Sequence, residues 1–141
     1  MRNPMSIETT ELKSSTPNAD EKGDRPQIIE VVNNRIYFYS PISQEPILKL
    51  NKAIRETSND LLSKNAIYDA KEGIELFLHI YSFGGSIISG LSAMDEIINC
   101  KIPITTVVDG ACASAATFLS IVGERRLMKK NNKNMDTNIL T

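Results

Sequence analysis

An excess of either charge is missing from this 141-residue chain: 16 Lys and Arg against 17 Asp and Glu leave a formal net charge of −1. Nothing in that balance argues electrostatically for a nucleic acid or an anionic membrane as partner. Long apolar runs are missing too. No stretch approaches the roughly 18 residues of a membrane-spanning helix, and the N-terminus lacks the apolar core of a secretory signal, which predicts a soluble, cytoplasmic protein. Cysteine is scarce: Cys100 and Cys112 have no metal-site spacing and read as reduced thiols in apolar surroundings, so neither a metal nor a cofactor is expected. Histidine is scarcer still, because His79 is the single one in the chain. That bounds any acid–base chemistry the chain could perform unaided.

What is present is enough for one domain, since 41% of the residues are hydrophobic. Residues 1–26 form a polar stretch with no periodicity that could bury a face, and read as a flexible arm. Two short β-branched and aromatic runs follow, Ile28 to Val32 and Arg35 to Tyr39, joined by Asn33-Asn34 in a predicted hairpin. Ser43 predicts the cap of a helix carrying Ile47, Leu50, Ile54 and Leu61 as its apolar stripe and running toward Lys64. Tyr68 to Gly73 reads as a polar loop.

Two stretches then share one plan. Leu76 to Ser82 is a near-continuous apolar run, as expected of a strand buried on both faces, and it leads through Phe83-Gly84-Gly85-Ser86 into a helix. There Ile87, Ile88, Leu91, Met94, Ile97 and Ile98 recur at helical spacing, with Asp95, Glu96 and Asn99 toward solvent. Ile104 to Val108 is a second β-branched strand, followed by an Asp109-Gly110 turn and the small residues Cys112-Ala113-Ser114-Ala115-Ala116 that open another helix. Strand, tight connection, helix is where unpaired amides of a first helical turn can hold an oxyanion. A serine at that point reads as a nucleophile on an elbow or, more plainly, as a helix cap. Both strands would end at the same edge of a parallel sheet. His79 lies inside the first strand, three residues before Ser82, and reads as a satisfied core histidine rather than a base. Asp109 reads as a turn former.

The run Ser82-Phe83-Gly84-Gly85-Ser86, then Gly90-Leu91, then Asp109 to Leu119 resembles the proteolytic subunit of the Clp protease, with Phe83 where that family has proline. The resemblance spans about Asn34 to Lys130. It implies an α/β fold, a spiral of strand–helix crossovers of the ClpP and crotonase kind around a mainly parallel sheet. It implies that Ser114 is the nucleophile, that the N–H groups of Gly85 and Ala115 form the oxyanion hole, and that Gly84 and Ser86 line the substrate. It also implies unfolded polypeptides as substrates, a ring-forming oligomer and an AAA+ unfoldase as partner. The family's base follows its serine by about two dozen residues, near Asp136 to Asn138, and no histidine stands there. The expectation is therefore a C-terminally truncated member, with an incomplete peptidase domain over 27–131 and a divergent tail over 132–141. The alternative is an inactive subunit or fragment with an assembly role. A crotonase-like enzyme acting on acyl thioesters would share the backbone hole but gives Ser114 no task.

Overall fold

The computed structural model describes residues 26–68 and 74–130. Most of the predicted arm, the tail and most of the 68–73 loop lie outside those residues. The elements run β1 (Ile28–Val32), β2 (Arg35–Tyr39), α1 (Gln44–Tyr68), β3 (Leu76–Ser82), α2 (Ile87–Ile98), β4 (Ile104–Cys112), a 3-10 turn (Ser114–Ala116), α3 (Thr117–Ile121) and β5 (Arg125–Met128). The strands form one sheet in sequence order. β1 and β2 are an antiparallel hairpin turned by Asn33, which takes φ 58°, a conformation asparagine tolerates. The remaining neighbours pair in parallel, each joined through a helix. The expected α/β architecture with a mainly parallel sheet is the one observed.

One face of the sheet is covered and packs the core. Ile36 and Phe38 of β2, Leu76, Leu78 and Ile80 of β3, and Ile104 and Val108 of β4 meet Ile47, Leu50 and Ile54 of α1, Ala93 and Ile97 of α2, and Leu119 of α3. Alternation along a strand sends the intervening side chains to the other face. That face collects Arg35, Tyr37 and Tyr39 from β2, Phe77, His79 and Tyr81 from β3, and Val107 and Asp109 from β4. Burial of the Leu76 strand on both faces, the expectation, is met in part: on the second face His79 is buried, Phe77 half-buried and Tyr81 exposed.

Two other sequence readings need correction. The apolar stripe of α2 is mostly not buried: Gly90, Ala93 and Ile97 face the core, while Ile87, Ile88, Leu91 and Ile98 are exposed, Ile88 by 80%. Close packing explains the inversion, because Gly90 sits against the Ala115 carbonyl and Phe118, where a Cβ would come within 3.2 Å of each. Small residues set that contact, and the larger ones are turned outward. Arg55 of α1, largely exposed, bonds Glu96 of α2 at 2.9 Å. Cys112 is buried as expected, whereas Cys100 is only half-buried.

Candidate active site

Asp109-Gly110 is not a turn. β4 continues through both residues to Cys112, with a register irregularity against β3 between Ile80 and Ser82, and the chain leaves the sheet only at Ala113. Ala113 N–H donates to the Ser82 carbonyl at 3.1 Å, which ties the two strand ends together. The next residue, Ser114, has φ 56°. A non-glycine residue in that left-handed region costs of order 1–3 kcal/mol and persists only where its surroundings enforce it. The helix cap is Ala113, which makes no side-chain bond, so capping does not explain the serine. Ser114 is exposed at the start of the 3-10 turn, and its carbonyl accepts from the Thr117 hydroxyl at 2.7 Å.

The glycine turn after β3 packs directly against this elbow. A Cβ on Gly84 would lie 2.8 Å from Ser114 Cβ, 2.8 Å from the Ala113 oxygen and 3.3 Å from Ala115 N, so only hydrogen fits between the two connections. Gly84 N–H donates to Ser82 Oγ at 3.2 Å. Ile42 staples the turn from the other side: its N–H donates to the Gly84 carbonyl at 2.9 Å, and its carbonyl accepts from Ser86 N–H at 2.7 Å. The Ser86 hydroxyl accepts from Ser89 N–H at 3.1 Å and is thereby the N-cap of α2. At the elbow, Ala116 N–H bonds the Ala113 carbonyl, so Ala115 N–H precedes the first bonded amide of the 3-10 turn. The sequence-predicted residues Gly84, Gly85, Ser114 and Ala115 thus belong to two adjoining connections at one sheet edge. Beside Gly84 and Gly85 opens an apolar pocket of about 420 Å³, walled by Tyr39, Pro41, Tyr81 and Phe83.

His79 is not part of that cluster. Its Nδ1 lies 3.0 Å from Asp109 Oδ2 and its Nε2 2.8 Å from an Arg35 guanidinium nitrogen, so both ring nitrogens are engaged on the sheet face opposite the helices. Asp109, which sequence reasoning assigned to a turn, is the centre of this second cluster. It also accepts the Tyr39 hydroxyl at 2.6 Å and faces the Lys129 ammonium at 3.1 Å from Oδ1. Phase was the missed signal, since Asp109 alternates with Thr105 and Val107 and so shares a face with His79 across a parallel pair. Burial pushes the Asp109 carboxyl up, but the donors from Tyr39, His79 and Lys129 prevail and hold it below the usual range. Burial first, and then the bond to Asp109, push the Tyr39 phenol above its ordinary value.

The lowered carboxyl sets a direction for acid stability. Its contribution is complete above the unfolded value of ~3.9 and is lost as pH falls through the lower folded value. Urea midpoints should therefore drop below about pH 4 in the wild type and less steeply in Asp109→Asn. Equal slopes for the two proteins would remove the carboxylate from the account.

Among the described residues, no helix is long and apolar enough to cross a membrane. The Clp protease family model matches residues 32–135. The ATP-dependent Clp protease proteolytic subunit of Carsonella ruddii is 33% identical over 89 residues, covering 62% of this chain and 46% of that protein. Two solved structures superpose with a TM-score of 0.54, each over 72% of this chain. One is a ClpP mutant from Listeria monocytogenes, 23% identical and covered over 54%; the other is the ClpP catalytic domain from Plasmodium falciparum, 26% identical and covered over 53%. The chain spans about half the length of the relatives it matches.

Proposed function

Because this chain belongs to the Clp protease family, we propose that it is a Clp-type serine peptidase subunit in which Ser114 attacks the carbonyl of a bound polypeptide. The observation that carries this reading is the strained backbone of Ser114, φ 56°, at an exposed elbow against which Gly84 is packed without room for a side chain. A non-glycine residue keeps that conformation only where its surroundings enforce it, and a nucleophile there sits on the elbow between the two connections. Attack by Oγ moves the carbonyl electrons onto oxygen, and the N–H groups of Gly85 and Ala115 receive that charge. Each such donor contributes about 2.7–4 kcal/mol of transition-state stabilisation. Gly84 and the backbone at Ser86 border the substrate strand. The peptidase domain occupies 27–131, flanked by 1–26 and 132–141. Substrates are unfolded polypeptides, delivered in the cytoplasm by an AAA+ unfoldase to a ring of subunits.

The serine proton needs an acceptor, and His79 is the chain's one histidine. With Arg35 on one ring nitrogen and Asp109 on the other, His79 is not that acceptor. The reading requires a base from outside this chain. The same observation favours a second reading, an inactive ClpP-like subunit that contributes to assembly alone. Treatment with excess fluorophosphonate, followed by peptide mass spectrometry, separates them. An adduct confined to Ser114 and absent from Ser114→Ala is expected of the peptidase. A folded chain left unmodified would reject it in favour of the assembly role.

A further inference from the structure

The cluster around Asp109 takes no part in the proposed peptide chemistry, yet it consumes one buried carboxylate, one buried imidazole and two cations. We propose that His79, held as the neutral Nδ1–H tautomer between Arg35 and Asp109, is a positioning residue for the Ser114 elbow, and that its protonation unlocks the end of β4.

The tautomer follows from donor and acceptor chemistry. A guanidinium can only donate, so the Arg35 contact at 2.8 Å requires a lone pair on Nε2. The proton of a neutral ring then sits on Nδ1 and is given to Asp109 Oδ2 at 3.0 Å. Every group facing the ring is compatible with this state. From β2, Arg35 bonds the ring, Tyr37 stacks on it with centroids 4.5 Å apart, and Tyr39 shares the Asp109 oxygen. From β3 itself comes Phe77, which carries the Arg35 guanidinium over its ring at 4.2 Å. From β4 comes Asp109, and from the segment after β5 the Lys129 ammonium on the other carboxylate oxygen. A proton added to Nε2 would set an N–H against a guanidinium N–H at hydrogen-bonding distance, two donors without an acceptor between them. Arg35 must then leave the ring.

Asp109 transmits the change. One carboxylate joins β2, β3, β4 and the segment after β5, and the next residue, Gly110, lies under the Tyr81 ring, where a Cβ would come within 2.8 Å. Four residues on, Ser114 holds a conformation that only its surroundings enforce. A cluster that clamps Asp109 therefore helps hold the strand end from which the elbow springs. Only the catalytic consequence rests on Ser114 being the nucleophile; the tautomer and the clamp do not.

Because His79 is the single histidine, its ring nitrogens give unambiguous NMR signals in the full chain. At about pH 8 the Nδ1–H tautomer is expected, and on acidification the same signals report when the ring takes up a second proton. Exchange of the Ala113 amide, which bonds Ser82, and of the Lys129 amide, which bonds Val108, should then accelerate about tenfold beyond the intrinsic rate change. His79→Asn can still donate to Asp109 but does not titrate, and should show no such acceleration. An Nε2–H tautomer at pH 8, unchanged protection on ring protonation, or equal acceleration in His79→Asn would each overturn the proposal. The wild-type tautomer decides it even if the variant fails to fold. Fluorophosphonate labelling of Ser114 should slow with ring protonation more steeply in the wild type than in His79→Asn. Absence of labelling at every pH would count against the peptidase reading, while the ring and exchange measurements still decide this one.

Discussion

Gly85→Ala is expected to lose about 3–5 kcal/mol of stability in urea denaturation and to abolish labelling of Ser114 in whatever fraction folds. Two costs add. Gly85 has φ 150°, a backbone conformation that L side chains rarely adopt, and strain of this kind amounts to roughly 1–3 kcal/mol. Its Cβ would also fall 2.2 Å from the Ile42 carbonyl oxygen and 3.0 Å from the carbonyl carbon. Overpacking is commonly relieved by a side-chain shift at about 1–3 kcal/mol, but here the obstacle is backbone. That carbonyl already accepts from Ser86 N–H, and Ile42 N–H already donates to Gly84, so retreat would break the staple that fixes the turn. The oxyanion donor proposed at Gly85 would move with it. A variant within about 0.5 kcal/mol of wild type would show that the turn yields freely and would undermine its role as a preorganised site.

Asp109→Ala should cost about 3 kcal/mol, read as a lowered urea midpoint at neutral pH. The side chain is almost wholly buried, and its removal leaves the Tyr39 hydroxyl and the His79 Nδ1–H without their acceptor. Hydrogen bonds to a charged group are worth roughly 1.5–3 kcal/mol each, and their orphaned partners pay desolvation. Lys129 adds little to the loss, because its side chain is 58% exposed and can rehydrate. Asp109→Asn, which keeps an acceptor but not the charge, should fall between the two. A midpoint unchanged in Asp109→Ala would mean that water replaces the carboxylate without penalty.

Periodicity and turn chemistry made much of the fold legible. The Asn33-Asn34 hairpin, the β-branched run of β4, the apolar run of β3 and the two glycine- and alanine-rich connections each announced an element, and parallel pairing followed from their alternation with helices. The placement of Gly84 beside Ser114 followed as well, because adjacent parallel strands end at one edge. What could not be read was which face each residue meets. Helical spacing marked Ile87, Ile88 and Leu91 as a buried stripe, but the neighbour that Gly90 must approach is Ala115, and no spacing within α2 reveals a contact made 25 residues away. Asp109-Gly110 has the local signature of a turn, and tertiary pairing overrode it: a carboxylate that finds Tyr39, His79 and Lys129 is more stable inside the ladder than a turn would be. The polar cluster was invisible for the same reason. Tyr39 lies 70 residues from Asp109, Arg35 44 from His79 and His79 30 from Asp109, and only strand register brings them together.

Three of the chain's four tyrosines, Tyr37, Tyr39 and Tyr81, lie on the sheet face opposite the helices, and the sequence contains no tryptophan. Tyr39 gives its hydroxyl proton to Asp109, and Tyr37 stacks on His79. Near-ultraviolet absorption and emission from this molecule therefore come largely from one surface, unmasked by any brighter chromophore in the core. An unlabelled sample reports optically on the state of the Asp109 cluster, and a ligand settling over that face would be seen in the same signal.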